Sequence, residues 1–272
     1  MKSTMYYRVW FAALVGLLIC SSVAAADPPA DSITVVSSHL TGKSKAEVLA
    51  RGGLSLFVKV NGKAILFDTG TKDGPLLKNL EELGLNATLI DAIVFSHSQS
   101  DRVHDELPDV LNATSSKAKV YVPASAAEVV SQKNPGANVV PVSKPTRVLP
   151  DAWLVGPMHL ESEGGATVQQ ALVLDRPDGL IVIIGCSFPG VASTVQQVKE
   201  VFEHRRIQLI AGGFHLRGTR KQEIRDLSLM LQQKGVKGLA LSNCTGEPAL
   251  KIFRQDWGDR VVSLDFGNTI GY

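Results

Sequence analysis

Apolar residues recur along this chain in two rhythms. Short β-rich runs predict strands at Ile33–Val36, Leu54–Val60, Ala64–Phe67, Ala92–Phe95, Val120–Val122, Ala171–Leu174, Leu180–Ile184, Ile207–Ala211, Gly238–Leu241 and Val261–Leu264. Asn61-Gly62, between the second and third runs, is a strong hairpin signal. A helical rhythm takes over elsewhere. Val191, Val195, Val198 and Val201/Phe202 share one helix face, as do Ile224, Leu227 and Leu231, with Gly235 as the stop. Leu250, Phe253 and Trp257 repeat the pattern before Gly258, and an earlier helix spans Leu76–Leu83, ended by Gly84.

The first part of the chain thus reads as paired strands. From Gly179 on, strand and helix alternate, which favours parallel βαβ units and an α/β fold. The Pro-rich stretch Asn134–Pro150 reads as a loop region inside the domain. No internal repeat points to a solenoid.

The N-terminus changes the picture of where the protein works. Lys2 and Arg8 precede an apolar run, Val9–Ile19, and Ala24-Ala25-Ala26 follows. That order is a secretory signal with cleavage expected after Ala26, giving a periplasmic or secreted chain of residues 27–272. The run is short for a membrane span, which needs about 20 residues, so no span is expected in the mature chain. Ile19 before Cys20 argues against a lipoprotein.

Composition narrows the partners. The 272 residues carry 28 Lys+Arg against 26 Asp+Glu, and removing residues 1–26 takes away two bases and no acid. The mature chain is formally neutral and has no basic run, so nucleic acid is not an expected partner. Three Cys, at 20, 186 and 244, show no C-x-x-C spacing. In an oxidising compartment Cys186 and Cys244 become relevant. Their strands are expected on either side of Ile207–Ala211, about 9.6 Å apart. That exceeds the roughly 7 Å Cα limit for a disulfide, so none is expected. Neither thiol has a Cys–His–Asp sequence context, which argues against a Cys186 nucleophile.

Candidate chemistry lies in loops that follow strands. Phe67-Asp68-Thr69-Gly70 is one. Others are Ser96-His97-Ser98-Gln99-Ser100-Asp101-Arg102, Gly185-Cys186-Ser187-Phe188-Pro189-Gly190, Gly212-Gly213-Phe214-His215 and Ser242-Asn243-Cys244-Thr245-Gly246-Glu247. If the strand ends point one way, these loops share a mouth. Asp68 and Thr69 are expected to brace the His97 loop rather than react. His39, His159 and His204 have no partner pattern.

The order F-D-T-G, S-H-x-x-x-D, G-C-x-x-P-G, G-G-F-H, C-T-G-E resembles the metallo-β-lactamase superfamily, in its dihydropterin aminobenzene phosphate synthase-like branch. The resemblance covers roughly Ile33 to the end. It implies an αββα sandwich of two mixed β-sheets flanked by helices, with a metal site at the lip between the sheets. It also implies that His215 lines the substrate pocket.

The family's ligand positions are altered here. Its H-x-H-x-D-H motif falls on His97, Gln99, Asp101 and Arg102. Phe188 and Asn243 stand where two further ligand histidines belong, and Arg51-Gly52 replaces a Glu-His pair. Zinc takes about four N, S or O donors. Phenylalanine offers none, and amide oxygens suit harder cations. Arg102 stays protonated and pairs most simply with Asp101. A dinuclear site of the family type is therefore not expected. A relocated site for one divalent ion (zinc, manganese or iron) could use His97, Asp101 and His104 if Asp101–Glu106 is helical. The plainer reading makes Asp105 and Glu106 solvated helix-start acids.

These residues leave three functional classes. In the first, a degenerate metal site leaves a pseudoenzyme that binds a small polar or anionic molecule through Arg102, Gln99, Asn243 and Arg217, with no metal cofactor. In the second, the chain is a metal-dependent hydrolase or pterin-phosphate transferase-like enzyme with a relocated metal, in which His215 and Asp101 are the catalytic candidates. In the third, it is an interaction module with a vestigial pocket. Asn86-Ala87-Thr88 and Asn112-Ala113-Thr114 match glycosylation acceptors, which matter only in a eukaryotic secretory pathway.

Overall fold

The computed structural model describes residues 30–38, 53–70, 75–98, 106–114, 118–162, 165–187 and 190–272. The expected secretory segment, Arg51-Gly52, Gln99, Asp101, Arg102, His104, Asp105 and Phe188 lie outside them. No helix among the described residues is long and apolar enough to cross a membrane.

Among the described residues fourteen strands form two sheets of seven. In the first sheet β1 (Ser32–Ser37), β2 (Ser55–Val60), β3 (Lys63–Phe67), β4 (Ile90–Val94), β5 (Lys119–Pro123) and β6 (Asn138–Val142) follow in order, with β14 (Thr269–Gly271) beside β1. The second contains β7 (Thr146–Leu149), β8 (Ala152–Ser162), β9 (Gly165–Arg176), β10 (Gly179–Cys186), β11 (Ile207–Gly213), β12 (Gly238–Leu241) and β13 (Val261–Ser263). Both sheets are mixed. β3–β6 run parallel in the first, and β10–β13 run parallel in the second.

Layering follows from residue alternation. In β3, Ile65 and Phe67 face the core between the sheets, whereas Ala64 and Leu66 face helices α1 (Leu76–Glu82), α2 (Leu107–Ala113) and α3 (Ala127–Lys133). In β10, Ile181 and Ile183 enter the same inter-sheet core, while Val182 and Ile184 pack under α4 (Val191–Val201), α5 (Lys221–Gln233) and α6 (Glu247–Trp257). Both faces of these strands are dry, so they read as continuous apolar runs. The result is the expected αββα sandwich.

Two expectations need correction. Asn134–Pro150 is not a loop region, because it contains β6 and β7, which edge the two sheets. Pro141 is tolerated in β6, which sits at a sheet edge where a missing N–H costs no ladder bond. Glu106 does stand at the start of α2, but it is buried rather than solvated. The Asn61-Gly62 turn forms as expected, with both residues at positive φ (50° and 72°) joining β2 to β3.

Candidate functional site

The described residues just after β3, β4, β10, β11 and β12 lie together at one lip between the sheets. The first wall comes from β3 and β4. Asp68 is buried, and its carboxylate accepts the Ser96 backbone N–H (2.7 Å) and the Ser96 hydroxyl (2.7 Å). Burial pushes its pKa up, and the charge of neighbouring His97 opposes that shift. Asp68 itself holds a left-handed backbone, φ 56°. It braces the start of the His97 loop.

That loop is sewn to the second sheet. Gln170 N–H donates to the Ser96 carbonyl, Ser98 N–H to the Val168 carbonyl, and the Gln170 side chain to the Phe95 carbonyl. His97 forms an isolated antiparallel bridge with Gln169, whose amide in turn donates to the Cys186 carbonyl at 2.6 Å. His97 is thus half-buried at the seam, one residue pair from the end of β10.

The second wall comes from β10, β11 and β12. Ser187 N–H donates to the Gly213 carbonyl and Ser242 N–H to the Gly212 carbonyl, tying the outer two loops to the middle strand. Thr245 fastens the third loop, since its hydroxyl accepts the Phe214 N–H (3.2 Å) and its carbonyl accepts the Leu216 N–H (3.3 Å). Phe214 is anchored edge-to-face on Phe253 of α6, 5.4 Å between ring centres. Between these anchors His215 adopts φ 51°, a backbone strain of about 1–3 kcal/mol for a residue with a side chain.

This strained turn presents the His215 ring to Cys186, with Sγ and Nδ1 3.1 Å apart. Cys244 completes the group, as one donor atom from each of Cys186, His215 and Cys244 lies within 4.8 Å of the others. The sequence showed no Cys–His context, because the three residues come from three strands that only the sheet order β12-β11-β10 brings together. Both cysteines are thiols. The two side chains approach more closely than strand spacing predicts, because Cys244 leans over Gly213, where a Cβ would overlap its sulfur. G-G-F-H between two Cys-bearing loops was the available signal.

The two thiols are shifted in opposite directions. The hydrogen bond between them lowers Cys244, which also gains from the His215 backbone, Ser242 and the Arg217 charge. The same bond raises Cys186, and burial adds to it. Arg217 is exposed and donates to the Asn243 side-chain oxygen at 3.3 Å. His215, Arg217 and Asn243 thus lie on the β10–β12 wall, which Gln169 joins to His97 through the Cys186 carbonyl. His159 and His204 lie exposed and outside this group. Asn86 uses its side chain to cap a turn, accepting the Thr88 N–H.

Seven-stranded mixed sheets, outer helices and a lip of strand-end loops define a metallo-β-lactamase-fold protein. Among solved structures, a metal-dependent hydrolase of the β-lactamase superfamily superposes with TM-score 0.71 at 24% identity, covering 89% of this chain and 99% of that one. A metallo-β-lactamase-fold protein from Bacillus subtilis matches with TM-score 0.59 at 12% identity, over 88% and 99%. In sequence the chain is similar to the 7,8-dihydropterin-6-methyl-4-(β-D-ribofuranosyl)-aminobenzene-5′-phosphate synthase of Methanocaldococcus jannaschii, 25% identical over 81% of this chain and 90% of that one. No protein-family model matches the sequence.

Proposed function

We propose that this is an exported metallo-β-lactamase-fold pseudoenzyme, in which the family's two-metal centre has given way to a binding site for a small anionic molecule. The Arg217–Asn243 contact carries the reading. Asn243 occupies a family ligand position, and its oxygen is engaged by a guanidinium, which is a permanent cation. A metal ion at that position would face this like charge with only an amide oxygen as donor. Gln99, Arg102 and Phe188 at the other altered positions add no strong zinc donor. The donor set does not fit two zinc ions.

Guanidinium and amide groups suit phosphate or carboxylate oxygens. The 5′-phosphate in the name of the similar synthase points the same way. Arg217 and Asn243 hold the anion, and Gln99 and Arg102, which follow His97 in the sequence, are the further candidate contacts.

Calorimetric titration of the chelator-treated chain with inorganic phosphate and a simple phosphomonoester tests this. Binding without metal is expected. Chelator-sensitive turnover by a chain holding two transition-metal ions in the His97 pocket would contradict it. Export is checked by N-terminal sequencing of the protein recovered outside the cytoplasm, which should begin at Asp27.

A further inference from the structure

The residues that hold no role in the anion reading are the two thiols. Cys186 closes β10, Cys244 follows β12, and His215 follows β11 between them. We propose that Cys186, His215 and Cys244 form a three-ligand site for one thiophilic divalent cation, zinc in the first place, with the fourth position open to solvent or an incoming ligand. The site differs in residues and in chemistry from the His/Asp pocket implied by the fold, and from the His97–Asp101–His104 set considered from sequence. It stands whether or not the anion reading holds.

Geometry carries the assignment. Tetrahedral zinc with Zn–S about 2.3 Å and Zn–N about 2.0–2.1 Å places S···N near 3.5 Å and S···S near 3.8 Å. The Cys186 Sγ–His215 Nδ1 separation is 3.1 Å, and all three donor atoms fall within 4.8 Å of one another. Shifts of no more than about 1.3 Å in any donor separation therefore complete the three-ligand arrangement. The backbones that carry the donors are already tied together by the Ser187–Gly213, Ser242–Gly212 and Phe214–Thr245 hydrogen bonds. Gly213 leaves the space in which the Cys244 sulfur sits. The strained φ of His215 is the cost of aiming an imidazole into that space.

Chemistry selects the ion. Two sulfurs and one imidazole favour zinc and other thiophilic ions over manganese, calcium or magnesium. Three protein ligands with an open fourth position are the pattern of reactive rather than purely structural zinc sites. Coordination forms two Zn–S bonds and one Zn–N bond, and the thiol protons leave to solvent with no change of oxidation state. Arg217, whose charge favours both thiolates, lies beside the group and offsets part of the negative charge they bring.

The test is a zinc titration of the reduced full-length chain against a chromophoric chelator, repeated with cobalt(II). One zinc per chain is expected, with a sulfur-to-cobalt charge-transfer band and release of protons on binding. Cys186→Ser and Cys244→Ser should each weaken zinc by more than about 100-fold, since even outer partners of metal ligands contribute 10–100-fold. His215→Asn, which keeps a residue tolerant of positive φ, should weaken it as well. Thermal melts of the serine variants should match the parent, which separates ligand loss from misfolding. Excess manganese should not displace the zinc. The site is refuted if the reduced chain leaves zinc with a micromolar chelator, or if both serine variants retain parental affinity. Phosphate binding by the chelated chain in the absence of zinc affinity would remove this site and leave the anion reading intact. Zinc binding without phosphate binding would do the reverse.

Discussion

The two walls of the lip use similar residue types for different ends. On the β3–β4 wall, Asp68, Ser96 and His97 turn inward, and both carboxylate oxygens of Asp68 are engaged by Ser96. On the β10–β12 wall, the backbone does the bracing. Cys186 gives its carbonyl to Gln169, and Thr245 ties the His215 loop, so the side chains of Cys186, His215 and Cys244 face one another. A strand-end loop can put its polar groups into architecture or keep them for chemistry. Here the β3–β4 wall does the first, and the β10–β12 wall leaves two thiols and an imidazole facing one another.

Substitutions can separate the walls. Gly213→Val should have the largest effect. Its side chain would overlap the Cys244 sulfur and lie 2.7 Å from the Ser242 hydroxyl at its first carbon, so overpacking of about 1–3 kcal/mol accompanies loss of zinc binding. Denaturant melts and zinc titration read both effects. Ser96→Ala should lower stability by about 1–3 kcal/mol, because it strips one partner from the buried Asp68 carboxylate. Zinc affinity should not change. An equal zinc defect in both variants would show that the walls act as one unit.

Arg217→Gln acts on the mouth rather than on either wall. Phosphate affinity should fall by about tenfold or more, in line with loss of a hydrogen bond from a charged group. The melting temperature should hold. An unchanged phosphate isotherm would place the anion elsewhere.

Tyr272, which donates to the Lys59 carbonyl at 2.7 Å away from these loops, is the control and the smallest effect. Tyr272→Phe should lower stability by about 1 kcal/mol. Burial, with help from Asp31, pushes the Tyr272 pKa well above its usual value, against the pull of Arg176. A raised folded-state pKa gives stability that is complete below the unfolded value of about 10 and is lost as pH rises through the folded one. Alkaline melts should thus steepen less for Tyr272→Phe than for the parent.

Much of the fold was legible because its strands are buried on both faces. Runs such as Leu180–Ile184 and Ile207–Ala211 announce themselves, and the helices after them keep a clean 3.6-residue face. Edge strands hid. β6 carries Pro141 and is only partly buried, and β14 is three residues long. The convergence of the loops could be read from their positions after strands. The Cys186–His215–Cys244 group could not, because it depends on sheet order and on an absent Cβ at Gly213. A flat-sheet spacing kept the two cysteines apart on paper, whereas side chains leaning over a glycine bring them together.

In the proposed reading this lip exchanges a two-metal, nitrogen- and carboxylate-lined centre for one thiolate-rich position beside an anion site. Zinc-edge X-ray absorption on the reduced full-length chain, loaded with excess zinc and freed of loosely held ion, tests it most directly. The account predicts one zinc per chain with two sulfur neighbours and one imidazole. Two zinc ions per chain, surrounded only by nitrogen and oxygen, would contradict it.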